Sequence, residues 1–203
     1  MIIAKNTDWQ LQPSLEDECA DAVAWAVKFL EQFDTAKLKS VYAVWHPRLL
    51  TDGMCRKRKS KRNGERYYTI RLRIPETRYP HPIQTRRRPL YRNQDGTWPD
   101  IPEGCTAGDP VTAYEVRHAG KVSHGQVVGD ERPTFGPGVT PIKEWRRLLG
   151  QTVVFNPSQA FVWLFSHEAF HFLRFTKQVP GKNTEIEADA YADTKLHEWV
   201  TSH

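Results

Sequence analysis

Two histidines four residues apart, His167 and His171, enclose Glu168 in the run His167-Glu168-Ala169-Phe170-His171. On a helix, positions four apart share a face, so the two imidazoles can reach one metal ion from adjacent turns. Glu168 lies one step round, close enough to a water bound to that ion to take its proton. From Leu164 to Leu173 nothing is charged except the motif's own residues. A buried helix requires this, because any other charge in a low-dielectric site would need its own partner.

The elements that must position these groups can be read on either side. Val153-Val154-Phe155 reads as a short strand, and Asn156-Pro157 as an N-cap and first helical turn, since proline lacks only an N–H that would be unpaired anyway. The pattern is strand, tight turn, helix. Pro180 and Gly181 are expected to end this helix and let the chain reverse. Thr184 with Glu187 three residues on forms a capping box that opens a second helix.

A catalytic zinc site takes three protein ligands and keeps its fourth position for water. The capping box separates two rival carboxylates: Glu187 is occupied at the helix N-terminus, and Glu185 in the first turn is free to face the metal. Asp189, four residues beyond Glu185, shares its face and can accept a hydrogen bond from a ligand imidazole, which fixes the ring's tautomer and orientation. Small residues Ala188 and Ala192 allow the two helices to approach closely.

These residues resemble a known family. His167-Glu168-Ala169-Phe170-His171 followed by Glu185-Ile186-Glu187-Ala188-Asp189 is similar to the gluzincin pattern H-E-x-x-H … E-x-x-x-D. Glu187-Ala188-Asp189-Ala190-Tyr191-Ala192 resembles a stretch of the small bacterial zincins of the ImmA/IrrE type, and Val154-Phe155-Asn156-Pro157 is similar to SprT-like zincins. The resemblance spans roughly residues 152 to 193. It implies an α+β, zincin-like fold with a twisted, mainly antiparallel sheet packed against the His167 helix. It also implies a zinc metallopeptidase: Zn2+ held by His167, His171 and Glu185, Glu168 as general base, and a protein or peptide as substrate. Such an enzyme usually offers a further group to the developing oxyanion. Tyr191, His197, His124 and Arg174 all remain open for that role.

Composition sets the frame. A chain of 203 residues suits one domain with a substantial core, here expected over residues 1–203 with a basic hairpin or loop insertion at about 55–92. Cys19, Cys55 and Cys105 are odd in number and show no C-x-x-C spacing. That pattern argues against a disulfide framework and a cysteine zinc finger, and suits a reducing compartment. No signal-peptide core and no apolar run of membrane-spanning length is visible, so cytoplasmic residence without membrane contact is the expectation.

Charge is concentrated. Residues 55–92 hold fourteen Lys or Arg against Glu65 and Glu76, a local +12 in a chain of net +5, which leaves the remainder at −7. Tyr68, Ile70, Leu72 and Ile74 alternate with Thr69, Arg71 and Arg73, the pattern of a half-buried strand with a basic outer face. Asn63-Gly64 reads as a hairpin turn beside it, so the cluster Arg56, Lys57, Arg58, Lys59, Lys61 and Arg62 is expected on a loop or hairpin tip. Arg86, Arg87 and Arg88 follow in a proline-rich segment, 75–110, expected to be irregular. Three readings of this patch stay open: a solvated loop, a nucleic-acid footprint that neutralises phosphates without reading bases, and a site for an acidic protein. For the whole chain, the alternative to a peptidase is a nucleic-acid-binding protein on a zincin scaffold whose metal site is structural or vestigial.

Elsewhere, Ser14 to Phe33 reads as one helix, with Ser14 as N-cap and Asp17 completing a capping-box-like pair. Val41 to Trp45 reads as a strand, and so do Val111–Glu115 and Val122–Val128, paired around Ala119-Gly120. Pro141 to Leu149 reads as a short amphipathic helix.

Overall fold

A computed structural model describes residues 7–47, 52–76, 79–86, 89–100, 111–128 and 134–203. They form an α+β structure in two compact units, Met1–Ile83 with Val153–His203, and Gln84–Thr152. Among the described residues no helix is long and apolar enough to cross a membrane.

The first unit is built on a four-stranded sheet. Its strands are β1 (Asp8–Leu11), β2 (Leu38–His46), β3 (Asp52–Lys59) and β4 (Arg66–Pro75), in the spatial order β1-β2-β4-β3. On β4, Tyr68, Ile70, Leu72 and Ile74 are buried while Thr69, Arg71 and Arg73 between them are partly exposed, as the alternation in the sequence predicts. β3 and β4 form the expected hairpin, with Gly64 at φ +72° in its turn. Antiparallel pairing predominates over the chain, but this sheet is mixed: β1 with β2 and β2 with β4 run parallel, and β3 alone is antiparallel. The reason is the connection from β1 to β2, a helical crossover that returns the chain in the same direction.

That crossover is two helices, not the single one expected from Ser14 to Phe33. α1 (Pro13–Glu18) and α2 (Ala20–Leu30) are divided at Cys19. Helix α1 starts one residue early because Pro13 supplies a first-turn φ. Ser14 is therefore not the cap; its hydroxyl accepts from the Trp45 indole at 3.0 Å. At the break, the Glu18 carbonyl accepts the Ser158 hydroxyl at 3.2 Å. Leu15, Cys19, Ala22, Ala26 and Leu30 still line one buried face.

α3 (Pro157–Phe175) carries the His167 motif, and every residue from Ala160 to Leu173 is buried. A helix apolar on all sides must be covered on all sides. β3, β4, α2 and α4 (Glu185–Ser202) pack around it. Phe161, Phe165 and Phe172 are fully buried, and Phe165 makes ring contacts with Trp9, Trp25, Phe29 and Phe161. Asn156 caps the start, its side chain accepting from Gln159 N at 2.8 Å, with Pro157 in the first turn.

The other end of α3 differs from expectation. It stops at Thr176, before Pro180 and Gly181 are reached. Gln178 N donates to Leu173 O at 2.8 Å and Lys177 N to Arg174 O at 3.2 Å, with Lys177 itself at φ +62°. This is a Schellman closure with lysine where glycine is usual. Gly181, at φ +107°, serves a later need. A Cβ there would stand 2.5 Å from the Glu187 carboxylate, which accepts from Lys182 N at 2.6 Å.

In the second unit β6 (Val111–His118), β7 (Lys121–Val128) and β8 (Val139–Arg147) form an antiparallel sheet in the order β7-β6-β8. Ala119 and Gly120, both at positive φ, make the expected turn between β6 and β7. The amphipathic helix expected over Pro141–Leu149 is instead β8 and the start of β9 (Leu149–Val154). A free edge of β6 takes β8 along its whole length, and that pairing overrides a weak helical pattern. The segment 75–110 is likewise not wholly irregular, because β5 (His81–Arg86) pairs with β9. Beyond β5, the guanidinium groups of Arg92 and Arg146 both lie over the Trp98 ring, 4.7 and 4.5 Å from its centroid.

Candidate metal centre

Helix α3 presents Trp163, His167 and His171 at intervals of four, and α4 presents Glu185, Asp189 and Asp193 at the same interval. The two stripes face one another. His167 Nε2 lies 3.4 Å and His171 Nε2 3.6 Å from the Glu185 carboxylate oxygens. One turn along, Asp189 Oδ1 is 2.9 Å from His167 Nδ1. A further turn along, the Trp163 indole donates to Asp193 Oδ1 at 2.9 Å, and its ring stacks on His167 at 5.4 Å between centroids. Thr184 caps α4, accepting from Glu187 N at 3.3 Å, which starts the helix where Glu185 faces the two rings. Glu187 is turned back onto Lys182, so Glu185 and not Glu187 joins the cluster.

The second ring is also anchored. His171 Nδ1 lies 2.8 Å from the Asn183 side-chain oxygen, in the loop just before α4. In the tautomer whose proton sits on Nδ1, beside Asp189 for one ring and Asn183 for the other, each Nε2 carries the lone pair. Those two Nε2 atoms stand 3.2 Å apart, beside a carboxylate. In that tautomer three electron-rich groups are in contact, an arrangement that a positive charge among them stabilises. Burial by itself would lower the His167 pKa, but hydrogen bonds with Asp189 and Glu185, and the charges of Glu168 and Asp189, raise it to about 9. A proton is one way to supply the charge; a cation is the other.

Geometry fits the cation. Donor atoms bound to one tetrahedral zinc stand roughly 3.3–3.6 Å from one another, given bonds of about 2.0–2.2 Å. Here the two Nε2 atoms stand 3.2 Å apart, and each faces its own Glu185 oxygen, Oε2 at 3.4 Å from His167 and Oε1 at 3.6 Å from His171, with one donor atom from each residue within 4.8 Å of the others. His167, His171 and Glu185 can thus hold a metal ion, and two imidazoles with one carboxylate are donors suited to zinc.

Glu168 follows His167 round the helix and turns toward β3. Its carboxylate accepts a backbone hydrogen bond from Cys55. It also fills the space over Gly53, where an added Cβ would fall 2.5 Å from Oε1. The close approach of strand to carboxylate needs a glycine at that position. Burial pushes the Glu168 carboxyl up to about 7; the His167 charge and the Cys55 bond pull against this, and Glu185 and Asp52 add to it. A carboxyl so tuned exchanges protons readily near neutrality.

The remaining candidates are placed elsewhere. Tyr191 packs on Phe170 and Phe29, and burial, with the charge of Glu198, raises its hydroxyl to about 12. Arg174 donates to the Val179 carbonyl. His197 is exposed on α4, and His124, in the second unit, lies 3.5 Å from Glu115. Arg56, Lys57, Arg58 and Lys59 are exposed but belong to strand β3, and only Lys61 and Arg62 occupy the turn. Arg86 ends β5; Arg87, Arg88 and Cys105 lie outside the described residues.

Asn183, Trp163, Asp193, Gly53 and the Cys55 amide are contributors that motif reading passes over. Continuing the four-residue interval in both directions would have found Trp163 and Asp193. Nothing local marks Gly53 or Cys55, more than a hundred residues from Glu168. Replacing Asp189 by Asn should weaken zinc binding about 10–100-fold, since it removes the charge that orients and enriches His167. A competition titration with a chromophoric chelator measures this, and an unchanged affinity would show that Asp189 does not act on the ligand.

No protein-family profile, curated protein or solved structure matches this chain.

Proposed function

We propose that this chain is a zinc-dependent peptidase of the zincin type, in which His167, His171 and Glu185 hold the metal and Glu168 moves the proton. The observation that carries the reading is the meeting of two Nε2 atoms, 3.2 Å apart, with the two oxygens of the Glu185 carboxylate at 3.4 and 3.6 Å, beside the buried carboxyl of Glu168. A zinc ion with three protein ligands supplies Lewis acidity toward a carbonyl oxygen and toward water. Glu168 accepts the proton of the attacking water and delivers it to the amine nitrogen as the peptide bond breaks. The Cys55 amide holds the carboxylate in place during both transfers. Asp189 and Asn183 keep the two rings in the tautomer that presents Nε2.

A purely structural site has no use for Glu168, whose burial is costly without a task. The rival reading, a nucleic-acid-binding protein with a structural metal, draws its support from the exposed cations of β3 and its turn. Metal removal separates the two. Purified protein is expected to contain one equivalent of zinc; 1,10-phenanthroline should stop cleavage of an unfolded protein substrate, and one equivalent of added zinc should restore it. Cleavage indifferent to the chelator would overturn the peptidase assignment.

A further inference from the structure

The exposed cations of β3 and the candidate catalytic carboxyl lie on one strand and one helix of the same unit. Strand β3 ends the sheet order β1-β2-β4-β3, so among the described residues only β4 pairs with it as a strand; its outer edge is open beyond Cys55, whose N–H is taken by the Glu168 carboxylate. Directly opposite residues of an antiparallel pair point to the same face. Gly53, Cys55 and Lys57 are opposite Leu72, Ile70 and Tyr68, whose side chains are buried, and Tyr68 makes ring contacts with Phe172 and Phe175 of α3. Gly53, Cys55, Lys57 and Lys59 therefore share the α3-facing side, while Met54, Arg56 and Arg58 share the other. Glu168 touches the strand at Gly53 and Cys55.

Moving along β3 from that contact, the charge is one-sided. Lys57 and Lys59 stand about 13 and 20 Å from Gly53 at about 3.3 Å per residue, with Arg56 and Arg58 between them on the other face. In the opposite direction stands an acid, Asp52, already paired with Arg73 at 3.0 Å. A second strand laid along this edge would make main-chain hydrogen bonds in register and pass Glu168 at one point. Its side chains would then meet four cations on one flank only.

The geometry points to an extended acidic polypeptide as the ligand of β3: a segment that adds to the open edge as a strand, with Asp or Glu on one side of the bond brought to Glu168. This names the substrate class of the proposed peptidase and rests on that reading for the cleavage step alone. Strand addition uses both things the edge offers, a row of backbone groups and a cation at every residue from 56 to 59. A nucleic acid would use only the second. Acidic flanks also suit long-range attraction, which screens with salt.

The binding step can be read without turnover. Glu168→Gln protein is titrated by fluorescence anisotropy with three labelled probes: a twelve-residue unstructured peptide carrying four Glu in one half, the same peptide with four Gln, and a twenty-residue oligo-dT. Expected is a preference of about tenfold for the Glu peptide over the Gln peptide, as several exposed charge pairs acting together would give, falling as salt is raised. The paired change Lys57→Glu with Lys59→Glu should remove that preference and favour a Lys-bearing peptide instead, a gain that misfolding cannot produce. Equal binding of the Glu and Gln peptides overturns the proposal. So does oligo-dT binding as tightly as the Glu peptide with the same sensitivity to the two substitutions, which would make β3 a phosphate-binding edge. The cleavage step is read separately by mapping the bonds that the zinc-loaded protein cuts in an unfolded protein. Acidic residues should be enriched on one flank alone. Cuts without that bias sink the acidic-substrate proposal and leave the peptidase standing; no cuts at all, with peptide preference intact, sink the peptidase and leave the acidic docking edge.

Discussion

Replacing Glu168 by Gln should leave one equivalent of zinc on the protein while lowering turnover by about 10²–10⁴-fold, the usual contribution of a positioned general base. Glutamine has nearly the same shape and keeps an oxygen that can accept from the Cys55 amide, so β3 and α3 stay in register. None of the three metal donors is touched. What disappears is the proton acceptor that burial has brought to about 7. Stability should not suffer, because a neutral amide is less costly to bury than a carboxylate. The checks are elemental analysis, a melting curve and a progress curve on one unfolded substrate. Turnover within tenfold of the parent protein would mean that Glu168 does not carry the proton.

His171→Ala should act on the metal and, through it, on everything else. Zinc falls from one equivalent to none after dialysis, and hydrolysis falls with it. One donor of three is gone, and the Asn183 oxygen that accepted from the ring loses its donor. A binding test that needs no substrate is thermal: a ligand held only by the folded state stabilises it by about 4.1 kcal/mol at a thousandfold excess over Kd. Added zinc should raise the melting temperature of the parent protein and leave that of the variant where it was. His197→Ala, on an exposed position of α4, serves as the control and should change neither zinc content nor rate. A variant that retains a full equivalent of zinc would show that the ion, if any, sits elsewhere.

The arrangement of the centre was legible because its parts are local. Four-residue spacing puts His167 and His171 on one face whatever lies around them, and cap chemistry at Thr184 is enough to tell Glu185 from Glu187. The N-cap at Asn156 and the alternation of β4 are of the same kind. Longer-range pairing was not legible. Pro141–Leu149 has helical spacing, and only the edge of β6, distant in sequence, makes it a strand. Likewise the cations at Arg56–Lys59 look like a solvated tip until β4 is seen to pair with them residue by residue. The end of α3 was misplaced for a different reason: proline and glycine are strong stop signals, but Lys177 tolerates the left-handed turn that closes the helix earlier.

Trp163 gives the centre an optical consequence. Its indole stacks on the His167 ring and donates to Asp193. Any exchange of a proton for a divalent ion at that imidazole changes the charge density against the face of the chromophore. The chain carries seven tryptophans, and this one alone among the described ring contacts lies against an imidazole of the candidate metal centre. On the proposed reading, intrinsic emission should change as zinc is added, an occupancy signal that needs no label, substrate or partner.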